Sequence, residues 1–180
     1  MNSPRTEGSP DGLDLTALDC HLRATGVPRD GELRAELITG GRSNLTYLVS
    51  DDTSKWVLRR PPLHGLTPSA HDMVREYTVV AALADTSVPV ARAVTVGSDD
   101  SVLGAPFQMV EYIPGRVVRS RRDLEALAGR DAGGDVDVDV IAGCVESLIR
   151  VLADLHTVEP DAVGLDDFGK PSGYLERQVR

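Results

Sequence analysis

The chain has 180 residues, 41% hydrophobic and 26% charged, the balance of a soluble globular protein of one domain or one and a half. Acidic residues outnumber basic ones 28 to 19, giving a formal net charge of −9; this argues against nucleic acid as the main partner, because a phosphate backbone needs a basic face. Cys20 and Cys144 lie far apart in sequence, suggest neither a metal site nor a disulfide framework, and fit a reducing cytoplasm; no apolar run approaches membrane-spanning length.

Residues 1–12, rich in Ser, Pro, Gly and charge, lack the apolar stretch of a secretory signal and read as a disordered tail. Leu15, Leu18 and Leu22 recur at helical spacing up to Gly26 and Pro28, which predicts a short leading helix. Leu37-Ile38 then leads as a strand into Gly40-Gly41-Arg42-Ser43-Asn44. Leu45 to Val49 and Trp56 to Arg60, joined by the polar run Ser50 to Lys55, predict an antiparallel hairpin. The small residues ahead of it let backbone N–H groups approach an anion, and Arg59 on the returning strand would face the same phosphates. A bare hairpin turn remains the alternative for the glycine pair.

Pro61-Pro62 ends the ladder. Ser69-Ala70-His71-Asp72 has the form of a capping box, and Met73, Tyr77, Val80 and Ala84 share one apolar face, predicting a helix from Ser69 to Ala84. Glu76, within Arg75-Glu76-Tyr77, is the acid that a basic residue such as Arg59 needs as partner. Val88 to Val96 and Phe107 to Tyr112 read as strands separated by a turn at Gly97-Ser98-Asp99-Asp100. Ile113-Pro114-Gly115 breaks the pattern, and Ile141, Val145, Leu148, Leu152 and Leu155 mark a long helix beyond it. The order is β, β, β, α, β, β and then helical, an α+β fold with a composition shift near residue 114.

This arrangement resembles the protein-kinase-like fold, and more narrowly the aminoglycoside phosphotransferase and choline kinase family. It is most similar to the branch with G-G-x-S-N-x-T-Y-L, V-L-R-R-x-P, R-E-Y and V-G-L-x-D-F-G-x-x-x-G-Y-L-x-R-Q, some of whose members are fused to or paired with acyl-CoA dehydrogenases. Those motifs stand here as Gly40 to Leu48, Val57 to Pro61, Arg75 to Tyr77 and Val163 to Gln178. The resemblance implies a nucleotide-binding N-terminal lobe over 13–113, a five-stranded, mostly antiparallel sheet with one helix plus the leading helix. Residues 114–180 would be the hinge and the beginning of an α-helical lobe. It further implies that Gly40, Gly41, Arg42, Ser43 and Asn44 cover the ATP phosphates and that Arg59, standing where most such kinases have lysine, pairs with Glu76. Met109 to Ile113 would be the hinge, with backbone groups of Glu111 and Ile113 on the adenine edge. A guanidinium can bridge phosphate oxygens but will not occupy the point of an ammonium.

Phosphoryl transfer in this fold also needs an Asp in a His-Gly-Asp loop, a downstream Asn and a second Asp for Mg²⁺, and the sequence has none of these motifs. Asp167-Phe168-Gly169 spells the kinase metal tripeptide but belongs to the late block, with no catalytic loop before it. No residue of the chain is therefore assigned as catalytic or as a metal ligand. The chain is expected to stop partway into the second lobe, with the Mg²⁺ ligands of the family beyond it, and not to complete transfer alone.

The expected function is ATP-dependent transfer of a γ-phosphoryl group to a hydroxyl of a small molecule. The alternative is a non-catalytic, pseudokinase-like nucleotide-binding module acting through a partner. His156 reads as a helix C-terminal residue, and Asp135, Asp137 and Asp139 as a solvated turn at a helix N-terminus. They do not read as a calcium loop, because Val140 takes the slot that needs glycine. Arg116, Arg119, Arg121 and Arg122 form a basic cluster after the hinge; a solvated face is the plain role, and an anionic acceptor such as an acyl-CoA the functional one.

Overall fold

The computed structural model describes residues 10, 12–38, 44–62, 72–129, 134–169 and 179. Contacts divide the chain into two units, Met1–Ala84 with Val90–Tyr112, and Asp85–Pro89 with Ile113–Arg180.

The first unit opens with helix α1 (Leu15–Ala24), capped by Asp14, whose carboxylate accepts the N–H groups of Thr16 and Ala17 at 2.9 and 3.0 Å. Five strands follow in the first unit, β1 (Arg34–Leu37), β2 (Leu45–Ser50), β3 (Lys55–Arg60), β4 (Ala93–Gly97) and β5 (Phe107–Glu111). They form one sheet in the order β1-β2-β3-β5-β4, every neighbour antiparallel. Helix α2 (Met73–Ala82) lies between β3 and β4 in sequence and packs against β4 and β5.

Successive side chains of a strand point to opposite faces, and this alternation sorts the unit into layers. Tyr47 and Val49 of β2, Trp56 and Leu58 of β3, and Phe107 and Met109 of β5 are buried with Leu18 and Leu22 of α1. That face is the core; α2 meets the other face. His21 of α1 reinforces the core side: its Nε2 is 2.9 Å from Thr95 Oγ1, and its ring meets Phe107 edge-on at 5.2 Å. Burial pushes the His21 imidazole below its ordinary pKa, favouring the neutral form in this contact. Gly97 pairs with Phe107, and a β-carbon there would overlap the aromatic ring, so the β4 edge admits only glycine without rearrangement.

The β2–β3 turn is organised by Asp51. Its carboxylate accepts N–H groups from Thr53 at 2.8 Å and Ser54 at 2.6 Å, and reaches back to the N–H of Asp30 at 2.7 Å. Burial alone would raise the Asp51 pKa, but the N–H groups of Asp30, Thr53 and Ser54 outweigh it and hold the carboxyl below its usual value.

Three expected boundaries shift. The described part of α2 starts at Met73, not Ser69, because Asp72 is its cap and accepts the Arg75 N–H at 2.8 Å; Ser69 to His71 lie outside the described residues. Leu83, not Ala84, closes the apolar face, Leu83 being buried and Ala84 exposed. The strand expected from Val88 begins only at Ala93. Pro89 has no N–H to donate to a ladder, and the Val88 N–H turns locally to Thr86 Oγ1 at 3.2 Å.

The second unit contains α3 (Arg121–Ala128), capped by Ser120, and α4 (Val138–Thr157), capped by Asp137; the two helices pack together. A 3₁₀ turn, Pro160–Val163, follows. Asp137 thus takes the helix-start role expected for the acidic run, and His156 lies in the last turn of α4. Several apolar positions of α4 are exposed among the described residues, Leu148 at 69% and Leu152 at 49%, while Ile141 is half-buried. No described helix is long and apolar enough to cross a membrane.

Asp51 supplies a test. Its folded pKa is depressed, so its contribution is present above the unfolded value near pH 4 and is lost as pH falls through the folded value. Replacing Asp51 with Asn should lower Tm at pH 7 by roughly 5 °C and flatten the loss of stability below about pH 4, read by thermal denaturation across pH.

Candidate functional site

Strand β3 ends in two arginines that its alternation sends to opposite faces. Arg60 follows Trp56 and Leu58 toward α1 and is 4% exposed. Its Nη1 donates to the carbonyl oxygens of Gly12 and Leu103, the latter at 3.0 Å, tying the start of the chain to the loop before β5. Among the described residues its Nε is buried without a hydrogen-bond partner, so the anchor shown is its Nη1 on two backbone carbonyls.

Arg59 turns the other way. Its Nη1 donates to Glu76 Oε2 at 2.7 Å, and the two side chains are 40% and 37% exposed. The Asp72 cap starts α2 so that Glu76 falls in its first turn, the Glu76 N–H donating to the Asp72 carbonyl at 3.0 Å. A second donor reaches the same oxygen: Gln108 Nε2, on the neighbouring strand, at 2.5 Å. Gln108 is the cross-strand partner of Arg59 and is 5% exposed. Arg59 and Gln108 from the sheet and Glu76 from the helix therefore form one polar cluster.

Gly40, Gly41, Arg42 and Ser43 lie outside the described residues. Asn44 is buried immediately before β2, two residues ahead of Thr46, which pairs with Arg59 across the hairpin. Met109 is fully buried in the core between Leu58 and Thr95 in register, so its side chain supports the sheet. The Glu111 N–H donates to the Arg92 carbonyl at 2.9 Å, and its carboxylate accepts from Arg92 Nε at 3.1 Å. Ile113 opens the second unit and is 62% exposed. Asp167 is exposed in the turn after Pro160–Val163.

Gln108 escaped the sequence reading. Its signal was a single amide inside the apolar run Phe107 to Val110, where a polar residue on a buried strand asks for a partner on the helix that covers it.

The two arginines should separate experimentally. Arg59→Ala removes a half-exposed ion pair and should cost less than about 1 kcal/mol. Arg60→Ala strands the buried Leu103 carbonyl and the part-buried Gly12 carbonyl and empties a packed site, and should cost roughly 2–4 kcal/mol. Urea unfolding of the two variants checks the ranking, which equal losses would contradict.

Comparison with known proteins bears on the whole arrangement. The model of a family described as "Phosphotransferase enzyme family" matches residues 34–180. Acyl-CoA dehydrogenase family member 10 of Mus musculus is 32% identical over 165 residues, covering 91% of this chain and 14% of that protein. Acyl-CoA dehydrogenase family member 11 of Homo sapiens is 30% identical over 175 residues, covering 94% and 20%. A crystal structure of a Ralstonia eutropha protein assigned as an aminoglycoside phosphotransferase superposes with a TM-score of 0.70 at 33% identity, covering 92% of this chain and 45% of that one. The chain thus spans about a fifth or less of those two relatives and under half of the solved neighbour.

Proposed function

The chain belongs to the phosphotransferase enzyme family, and from that premise we propose that its first unit binds ATP for transfer of the γ-phosphoryl group to a hydroxyl of a small molecule. The observation that supports this most is the Arg59–Glu76 pair at 2.7 Å, formed between the sheet and α2 and still open to solvent. A half-exposed guanidinium oriented by a carboxylate can engage phosphate oxygens through charge-assisted hydrogen bonds. Positioning and charge stabilisation are most of what phosphoryl transfer asks of a protein.

The glycine-rich segment Gly40 to Ser43 immediately precedes Asn44 and the strand paired with Arg59, and the role assigned to it is to cover the same phosphates. The Glu111 carbonyl accepts from the adenine amine. Among the described residues no group of three His, Cys, Asp or Glu side chains could hold a metal ion, so the Mg²⁺ that accompanies ATP in such enzymes is given no ligand here and no step is routed through it. Binding and orienting ATP are the steps assigned to these residues.

An anionic acceptor such as an acyl-CoA would find the exposed Arg116, Arg119 and Arg122 near the start of α3. The free thiols of Cys20 and Cys144 suit a cytoplasmic location. A second reading, a nucleotide-binding module that works through a partner, draws on the exposed apolar side of α4, where Leu148 and Ile149 are 69% and 61% exposed.

Titration calorimetry of the chain with ATP should show saturable binding. Arg59→Ala should weaken it by about tenfold or more, the loss expected for a charge-assisted contact to phosphate. Correctly folded protein that takes up no ATP would remove the nucleotide reading.

A further inference from the structure

Gln108 is an expensive residue for its position. It is 5% exposed on β5, its Oε1 is buried without a partner among the described residues, and leucine would fill similar space with no polar atom to satisfy. What offsets that cost is its other end, where Nε2 stands 2.5 Å from Glu76 Oε2. The amide can face only this way, since turning it over would press a carbonyl oxygen against a carboxylate oxygen.

Arg59 and Gln108 are cross-strand partners on β3 and β5, and both reach the same carboxylate oxygen from the sheet. We infer that Gln108 is the positioning residue of the site: it holds the Glu76 carboxylate, and with it the first turn of α2, against the sheet, so that Arg59 is aimed at phosphate before nucleotide arrives. Arg59 is half-exposed and long, and its ion pair alone holds α2 weakly. The hydrogen bond from a buried, short-tethered amide to a charged acceptor is the stronger clamp. When a polyphosphate engages the guanidinium, Gln108 keeps Glu76 in place, so Arg59 meets the ligand without loosening the helix. This inference rests on ATP as the ligand, but the clamp itself exists without ligand and can be measured so.

Two variants test it in the full 180-residue chain. Gln108→Leu keeps the bulk and removes the donor. Gln108→Glu keeps the shape and sets a second carboxyl beside Glu76. Among the described residues, the charged groups facing position 108 are Arg59 from β3 and Glu76 from α2, while β4 presents Val96 in register.

Gln108→Leu should weaken ATP binding roughly tenfold and speed hydrogen exchange in α2 while leaving α1 unchanged. Gln108→Glu should bind ATP poorly at pH 8 and recover affinity as pH falls toward 5, because one of two adjacent carboxyls then keeps a proton and donates as the amide did. Because a buried carboxyl beside Glu76 also makes folding pH-dependent, affinity is compared only where circular dichroism shows Gln108→Glu fully folded. There packing alone would leave ATP affinity flat with pH. Wild-type ATP affinity in Gln108→Leu, or a pH-independent loss in Gln108→Glu, overturns the inference. If the wild-type chain binds no ATP, the nucleotide reading fails and exchange in the apo protein decides the clamp: faster α2 exchange in Gln108→Leu upholds it, and unchanged exchange overturns it.

Discussion

Side-chain alternation along β3 constrains the rest of the molecule, because it gives two adjacent, chemically identical residues opposite work. The core needs Trp56 and Leu58 on the face that α1 covers, and once those are set Arg60 must follow them inward while Arg59 must point to α2. A register slip of one residue would bury Arg59 under α1 and present Arg60 to Glu76, so the hydrophobic pattern of the hairpin and the polar cluster on its far side specify each other. The Asp51 turn and the pairing of Val49 with Trp56 through Leu45 with Arg60 hold that register.

The cluster on the far side shows why a sheet and a helix are both needed. Glu76 can sit above β3 and β5 only because Asp72 starts α2 where it does, and its carboxylate then gathers donors from two strands. The resulting polar cluster is carried by two strands and a helix, regular elements that fix its geometry. Packing of α1 on the opposite face, with His21 against Thr95 and Phe107, stiffens the strands that carry the cluster.

Much of this was legible in the sequence where local chemistry and tertiary context agree. Leu15, Leu18 and Leu22 announced α1, the polar run Ser50 to Lys55 announced the hairpin turn, and Arg59 with Glu76 was expected from the motif blocks and found as a pair. The misreadings have specific causes. Val88 looked like a strand start because β-branched residues carry that propensity, while the missing N–H of Pro89 and the Thr86 hydroxyl settled it as loop. Ser69 and Asp72 both offer cap chemistry, and only the accepted Arg75 N–H distinguishes Asp72. Gln108 was missed because its meaning is nonlocal: nothing within its strand says that the first turn of a helix more than thirty residues earlier will stand over it.

The central claim is that Glu76 aims Arg59 at nucleotide phosphate instead of merely neutralising it. A double-mutant cycle on ATP affinity, with Arg59→Ala, Glu76→Ala and the double variant, tests this most directly. The account predicts that Glu76→Ala weakens binding in the wild-type background and has no further effect once Arg59 is gone, so that the two losses do not add. If removing Glu76 leaves ATP binding unchanged, or strengthens it by freeing the guanidinium and relieving repulsion, the pair is a structural ion pair and the assignment of the site falls.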